Sequence, residues 1–349
     1  MTPDGPNPTL MQSKITPHGS KGRQLKSHSS PSLSRSSAGS PQSGQEPLPL
    51  LLIHDGGGTT AGFWALGDLH REVWVLHNPR FWSGAPWNGR VEEMVTCYVD
   101  LLRKSNLRGR RILIGGWSLG GFIALEIAKV FALEQQRLGG GIGKNGIEVA
   151  GLLLVDSPFI PGPNFRQSVT TSAPRLPDFP PKVKQMLAYC DTLLDSYTHP
   201  RWDSHANDGD DVTFEINRRS YCVGPGTVLR KPLNADWTAV RTNPQPSSGY
   251  FSSSTQSSSS DDSNRSVLAP PSGVLLRCVK HTESLDGGSD PCLADVQRDD
   301  PLLGWETAYP SFIKAVVDVE SNHYTAFNRY DTKQVRFNLP SLYSTVCLV

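Results

Sequence analysis

The sequence lacks the features that mark membrane, secreted or nucleic-acid-binding proteins. None of its apolar runs reaches the roughly 18 residues of a membrane-spanning helix, and its N-terminus has no apolar segment of the secretory-signal type. The formal net charge is +1, so no overall basic field attracts nucleic acid or a membrane surface. We therefore expect neither nucleic acid nor a membrane span in its function.

Cysteine is scarce and scattered. The six cysteines form no C-x-x-C pair and have no histidine at zinc-ligand spacing. They are Cys97, Cys190, Cys222, Cys278, Cys292 and Cys347. This spacing predicts reduced thiols in a cytoplasmic protein, with no metal site.

Apolar residues make up 37% of the chain and aromatic residues 8%, which is low for a wholly globular protein. Two low-complexity stretches account for the deficit. Residues 1–46 are rich in Ser, Pro and Gly and predict a disordered tail, and residues 247–266 form a serine-rich run. The remainder, 47–349, predicts one folded domain, with an inserted helical lid over about 157–270.

Short apolar runs alternate with helical patterns, which is typical of an α/β protein whose mostly parallel sheet is covered by helices. Apolar strands are predicted at 48–53, 72–76, 112–114, 149–155, 274–279 and 315–319. Helices are predicted at 91–104 and from Gly121 to about Gln136.

The pentapeptide Gly-Trp-Ser-Leu-Gly at 116–120 joins one of these strands to a helix. Strand, sharp turn with a serine, then helix is the nucleophile elbow of an α/β-hydrolase. Flanking glycines are needed where a Cβ would collide with neighbouring elements. The pattern alone recurs by chance in a chain rich in Gly and Ser, but this context predicts Ser118 as a nucleophile.

A serine nucleophile needs a base, and in this fold the chain order is serine, then acid, then histidine. His323 follows the last predicted strand and is the expected base. His281 follows the preceding strand, where an acid is expected, so it reads as a surface histidine. His54, His70 and His77 precede the elbow and break the order, although His54 could line the pocket.

The acid stays open on position alone. Asp156 directly follows the strand after the elbow helix, and its alternative role is to cap a turn. Four other aspartates follow the next strand, where many α/β-hydrolases carry their acid. These are Asp290, Asp295, Asp299 and Asp300.

An oxyanion hole requires two backbone N–H groups aimed at one point. Leu119, the residue after the nucleophile, is expected to supply one, and Gly56 or Gly57 in the loop after the first core strand the other. The alternative, a phosphate-binding glycine loop, lacks the Gly-Lys-Ser/Thr that should follow.

Five motifs occur together and in order. They are LLIHDGGGTT (51–60), GWSLGG (116–121), GLLLVDSP (151–158), PLLGW (301–305) and Asn-His (322–323). Jointly they resemble the thioesterase domains that end fungal polyketide and non-ribosomal peptide synthases, over about residues 47–330.

The resemblance implies that Ser118 takes an acyl chain from a carrier-protein phosphopantetheine thioester, in secondary metabolite biosynthesis. It implies His323 as general base and favours Asp156 as the acid. An acyl carrier protein or domain is then the expected partner, and hydrolysis or cyclisation releases the chain. No metal or organic cofactor is required. The alternative is a general carboxylesterase or lipase acting on small esters.

Overall fold

A nine-stranded sheet forms the centre of the protein in the residues that the computed structural model describes. These residues are 5–13, 46–143, 146–163, 165–204, 211–216, 219–242 and 267–327. The strand order across the sheet is β1-β3-β2-β4-β5-β10-β11-β8-β9. The strands are Thr9–Gln12 (β1), Leu50–Ile53 (β2), Val73–Leu76 (β3), Arg111–Trp117 (β4), Glu148–Val155 (β5), Val212–Ile216 (β6), Arg219–Val223 (β7), Thr227–Lys231 (β8), Thr238–Arg241 (β9), Gly273–Cys278 (β10) and Ile313–Val319 (β11). The α-helices are Arg90–Arg103 (α1), Leu119–Arg137 (α2), Phe165–Ser168 (α3), Pro181–Leu194 (α4) and Trp305–Ala308 (α5).

The seven inner strands, from β3 to β8 in the sheet order, are parallel, and an antiparallel strand lies at each edge. Every residue of β2, β3, β10 and β11 is buried. Continuous apolar strands are what a parallel sheet covered on both faces requires. The predicted α/β-hydrolase class, with its mostly parallel sheet, is confirmed.

Two apolar cores lie on the two faces of the sheet. One contains inward-facing residues of α1 and α2 with Leu51 and Ile53 of β2. The other contains Leu50 and Leu52 of the same strand, together with Phe327. Alternate residues of one strand thus feed opposite cores, as the two-residue period of a strand dictates.

The expectation of a disordered tail over 1–46 is wrong at residues 5–13. Strand β1 pairs antiparallel with β3, and Asn7 exchanges hydrogen bonds with the backbone of His77. Gln12 accepts a hydrogen bond from the backbone N–H of Leu69. The edge of the sheet supplies partners that local composition does not reveal. Residues 1–4 and 14–45 lie outside the described residues, and so does the serine-rich run 247–266.

The predicted helical lid over 157–270 contains helices only in its first half. Helices α3 and α4 follow β5, as the sequence pattern indicates. Beyond them, however, β8 pairs in parallel with β11 and β9 pairs with β8, so residues 227–241 extend the main sheet. Strand β8 is only partly buried and the edge strand β9 is exposed throughout, so neither has the continuous apolar run by which the buried strands were predicted. None of the helices in the described ranges is long and apolar enough to cross a membrane.

Candidate active site

The turn between β4 and α2 holds Ser118 in a strained conformation, with φ 55° and ψ −119°. A Cβ at Gly116 would collide with the backbone of Gly120, and one at Gly120 would collide with the backbone of Ile53. The elbow therefore needs glycine at both positions, as the sequence pattern predicts. Ser118 lies at the N-terminus of a 19-residue helix, where free N–H groups favour negative charge.

Three predicted site residues form one chain of hydrogen bonds. Ser118 Oγ lies 2.9 Å from His323 Nε2, and His323 Nδ1 lies 2.8 Å from Asp156 Oδ2. The loop that carries His323 after β11 is fastened to the elbow, because Trp117 Nε1 donates to the His323 carbonyl at 3.1 Å. Serine, imidazole and carboxylate are thus aligned for proton transfer from the serine hydroxyl.

Asp156 is fully buried at the end of β5 and has a positive φ of 46°. Its carboxylate accepts hydrogen bonds from the Cys278 backbone N–H at 2.8 Å and from two nitrogens of Arg298. Burial alone would raise the pKa of Asp156. The Arg298 charge and the hydrogen bonds from His323 and Arg298 outweigh it and hold that pKa well below its ordinary value.

Of the other candidate acids, only Asp295 is linked to Asp156, and the link runs through Arg298. Its Oδ1 accepts from Arg298 Nε at 2.9 Å. Asp300 instead accepts backbone N–H groups of the next turn, and exposed Asp299 lies 3.5 Å from His281. The backbone carbonyl of Asp290 accepts from Ser172.

Sequence reasoning missed Arg298 altogether. It is 142 residues from Asp156 along the chain and sits among acidic residues without any motif. The Cys278 N–H was missed too, since a backbone donor leaves no signature in the sequence.

His54, His70 and His281 lie outside this chain of hydrogen bonds. His54 is buried beneath the glycine loop, where its Nδ1 lies 2.5 Å from the Asp55 carbonyl and its Nε2 2.5 Å from the Tyr98 hydroxyl. Burial lowers the pKa of His54 to about 4, so its ring is neutral near pH 7. His281 is exposed, and so is His70, which pairs with Asp68.

The glycine loop after β2 lies beside the elbow, but its N–H groups are not equivalent. Gly57 donates its N–H to Asp55 Oδ1 at 3.1 Å, and Gly58 donates to the Asp55 carbonyl at 3.0 Å. The Gly57 donor is thus already engaged. Gly56 lines the cavity above Ser118, so it is the better placed of the two predicted glycines. Leu119 begins α2, whose first N–H groups have no partner within the helix.

Asp55 is a second buried carboxyl group at this loop. Burial raises its pKa to about 7, although the nearby His323 and the Gly57 N–H pull it down. Unlike Asp156, it has no arginine beside it in the described residues. The side chain therefore titrates near neutral pH, next to the point where an oxyanion would form.

A cavity of about 270 Å³ opens above Ser118 and His323. Its walls are largely apolar and include Phe122 of α2 and Leu187 of α4. Helix α4 packs on the glycine loop so closely that a Cβ at Gly56 would lie 2.8 Å from Cys190 Sγ. Such a pocket suits an apolar acyl chain. Within the described ranges, no three His, Cys, Asp or Glu side chains are grouped as metal ligands would be.

A family model described as the alpha/beta hydrolase family matches residues 50–323. The chain belongs to the alpha/beta hydrolase family. The match begins at β2 and ends at His323, so it spans the elbow, Asp156 and helices α3 and α4 of this hydrolase.

Three curated relatives of this hydrolase come from fungi. It is 33% identical over 316 residues to the probable thioesterase KK1J of Curvularia clavata, covering 87% of this chain and 92% of that protein. It is 34% identical over 300 residues to the probable thioesterase lcsE of Purpureocillium lilacinum, covering 84% and 87%. A 119-residue stretch is 40% identical to part of the nonribosomal peptide synthetase imqB of Aspergillus flavus, covering 34% of this chain and 3% of that protein.

Proposed function

We propose that the protein is a serine thioesterase that releases a polyketide or peptidyl chain from a carrier-protein phosphopantetheine thioester. The hydrogen-bonded chain of Ser118, His323 and Asp156 beneath an apolar cavity carries the proposal. The relatives named thioesterases support the thioester substrate, because they match this chain over most of its length.

In the proposed mechanism, His323 takes the proton of Ser118 as the oxygen attacks the thioester carbonyl. Asp156 holds the imidazole and stabilises its positive charge. The N–H groups of Leu119 and Gly56 stabilise the tetrahedral oxyanion. His323 then gives its proton to the departing thiol and leaves an acyl-Ser118 ester.

The second half reverses these roles. Water, or a hydroxyl or amine of the acyl chain itself, loses its proton to His323 while attacking the ester carbonyl. Ser118 departs and recovers the proton. Attack by water gives an acid, and attack from within the chain gives a ring. The reaction uses no metal or organic cofactor.

The partner in this proposal is an acyl carrier protein or carrier domain of a polyketide or non-ribosomal peptide synthase. The stretch that resembles part of a peptide synthetase supports it. A cytoplasmic location belongs to the same proposal and fits the free thiols of Cys97, Cys190, Cys222, Cys278 and Cys292.

The test compares release of an acyl chain from a loaded carrier protein with cleavage of the matching p-nitrophenyl ester. We expect a strong preference for the carrier thioester in the wild type, and background rates for Ser118→Ala. The matched control is Ser196→Ala, an exposed serine just after α4 whose hydroxyl accepts a hydrogen bond from Arg90, which should keep full activity. Rapid ester cleavage with an untouched carrier would instead identify a carboxylesterase.

A further inference from the structure

The guanidinium of Arg298 lies between two carboxylates in the most buried part of the site. Its two terminal nitrogens bind the two oxygens of Asp156, one of them at 2.8 Å. Its Nε and Nη2 bind Asp295 Oδ1 at 2.9 and 2.8 Å. The side chain of Arg298 is 1% exposed, and those of both aspartates are fully buried.

Backbone groups fix this cluster in place. Arg298 donates to the Cys278 carbonyl at 2.7 Å, while Cys278 N–H donates to Asp156 at 2.8 Å. Asp295 Oδ2 accepts the Thr282 N–H at 2.6 Å. Asp156 Oδ1 thus has two donors, and Oδ2 has Arg298 and His323, so the carboxylate plane has no freedom to rotate.

The charges of the cluster matter as much as its geometry. If Arg298 were paired with Asp156 alone, the charges of the two groups would cancel. Such a pair, with no net charge, would stabilise the His323 imidazolium poorly. Asp295 adds a second negative charge, so two carboxylates and one guanidinium sum to one negative charge facing His323.

We infer that Arg298 and Asp295 are positioning residues for the reaction. Arg298 orients Asp156 against His323, and Asp295 balances Arg298 so that His323 still faces a net negative charge. The inference rests on the proposed function, in that Ser118 must be a nucleophile activated by His323.

Other groups also face this part of the site. Asp55 of the glycine loop lies close enough to His323 for the imidazole to lower the Asp55 pKa, and the Tyr324 ring lies 5.0 Å from the imidazole. The Cys278 thiol faces Asp156 and Arg298. These groups are unchanged in the variants below, so a shift between variants reports on the cluster.

The experiment measures phosphonylation of Ser118 by a fluorophosphonate, followed by intact mass as a function of pH. This reaction needs the activated serine but no thioester or carrier. If wild-type Ser118 is not labelled, the proposed nucleophile fails. If it is labelled, the variants test the present inference separately.

The acid limb of the profile is the pH range in which labelling falls as the solution is acidified. In Asp295→Asn we expect this limb to shift to lower pH by about half a unit to one unit, because His323 then faces a neutral pair of Asp156 and Arg298. In Arg298→Met the limb should not move down, but labelling should slow about tenfold or more because Asp156 is no longer held. In the double variant Asp295→Leu with Arg298→Met, the single charge of Asp156 remains, and the limb should return to its wild-type position.

Arg298→Lys keeps the positive charge but loses the bidentate contact with Asp156. Its acid limb should therefore lie at the wild-type pH while its labelling rate falls. This variant replaces Arg298→Met in the experiment if Arg298→Met does not fold. Asp318→Asn, in a buried ion cluster that does not touch the triad, is the control and should leave the limb unmoved. Wild-type limbs in all the Asp295 and Arg298 variants, or an equal shift in Asp318→Asn, would overturn the inference.

Discussion

Two buried ion clusters in this protein are mirror images in charge. At the active site, Arg298 lies between Asp156 and Asp295. Between the neighbouring strands β10, β11 and β8, Asp318 lies between Arg277 and Arg230, at 2.9 and 3.0 Å. The first cluster carries one net negative charge and the second one net positive charge.

The clusters differ in what they touch. The active-site cluster is sealed from solvent and ends on His323 Nδ1. The strand cluster is open at one end, where the Arg230 side chain is 28% exposed, and the Asp318 ion pairs join residues of β8, β10 and β11. Similar chemistry thus serves two purposes: one cluster tunes a reacting group, and the other ties strands together.

Exchanging one carboxylate for an amide in each cluster should separate these purposes. Asp156→Asn should lower the rate of acyl release about a thousandfold or more, because the amide cannot stabilise the His323 imidazolium. Asp318→Asn should release acyl chains at the wild-type rate. The measurement is turnover of the loaded carrier, on protein shown by circular dichroism to be folded. Equal losses of turnover in both variants would mean that the two clusters do not differ in their effect on the reaction.

Removing the central arginine of the active-site cluster should cost stability. Arg298→Met leaves two buried carboxylates facing each other, and unfolding free energy at neutral pH should fall by about 3 to 5 kcal/mol. Without the arginine, these two carboxyl groups would have higher pKa values in the folded state than in the unfolded state. The loss of unfolding free energy relative to the wild type should therefore shrink as the pH is lowered towards about 5. Urea unfolding at both pH values measures it, and a deficit that grows on acidification would contradict the charge argument.

Much of the fold and of the site could be predicted from the sequence, because their signals are local. The elbow needs glycines on both sides of Ser118, and buried parallel strands are continuous apolar runs. Chain order then indicated His323, since a histidine after the last strand must lie at the same sheet edge as the elbow.

What the sequence did not reveal depends on contacts between distant residues. Arg298 meets Asp156 across 142 residues, and Asp295 enters the site only through it. Strand β1 is ordered by the edge of the sheet, and β8 by β11. The engagement of the Gly57 N–H by Asp55 is likewise a matter of side-chain geometry that composition does not encode.

Asp55 extends the comparison to a buried carboxyl group that faces no arginine in the described part of the chain. Its pKa of about 7 when folded lies above its ordinary value, so the folded state binds the proton more tightly than the unfolded state. Stability from this group is present at low pH and is lost as the pH rises towards 7. Between about pH 4.5 and about pH 6.5, the wild type should lose about 2 kcal/mol relative to Asp55→Asn. Urea titrations across this window test it, and parallel curves would exclude a raised pKa.

The smallest effect is expected at the open end of the strand cluster. Arg230→Met removes one of two arginines from Asp318, but Arg277 remains at 2.9 Å and solvent reaches the vacated position. An ion pair at a partly exposed site contributes about 1 kcal/mol or less, and high salt weakens it further. Urea unfolding of Arg230→Met should therefore differ from the wild type by less than about 1 kcal/mol, and the difference should shrink in salt. A loss of unfolding free energy as large as that of Arg298→Met would show that the strand cluster contributes as much to stability as the active-site cluster. The two clusters would then differ only in that one of them contacts His323.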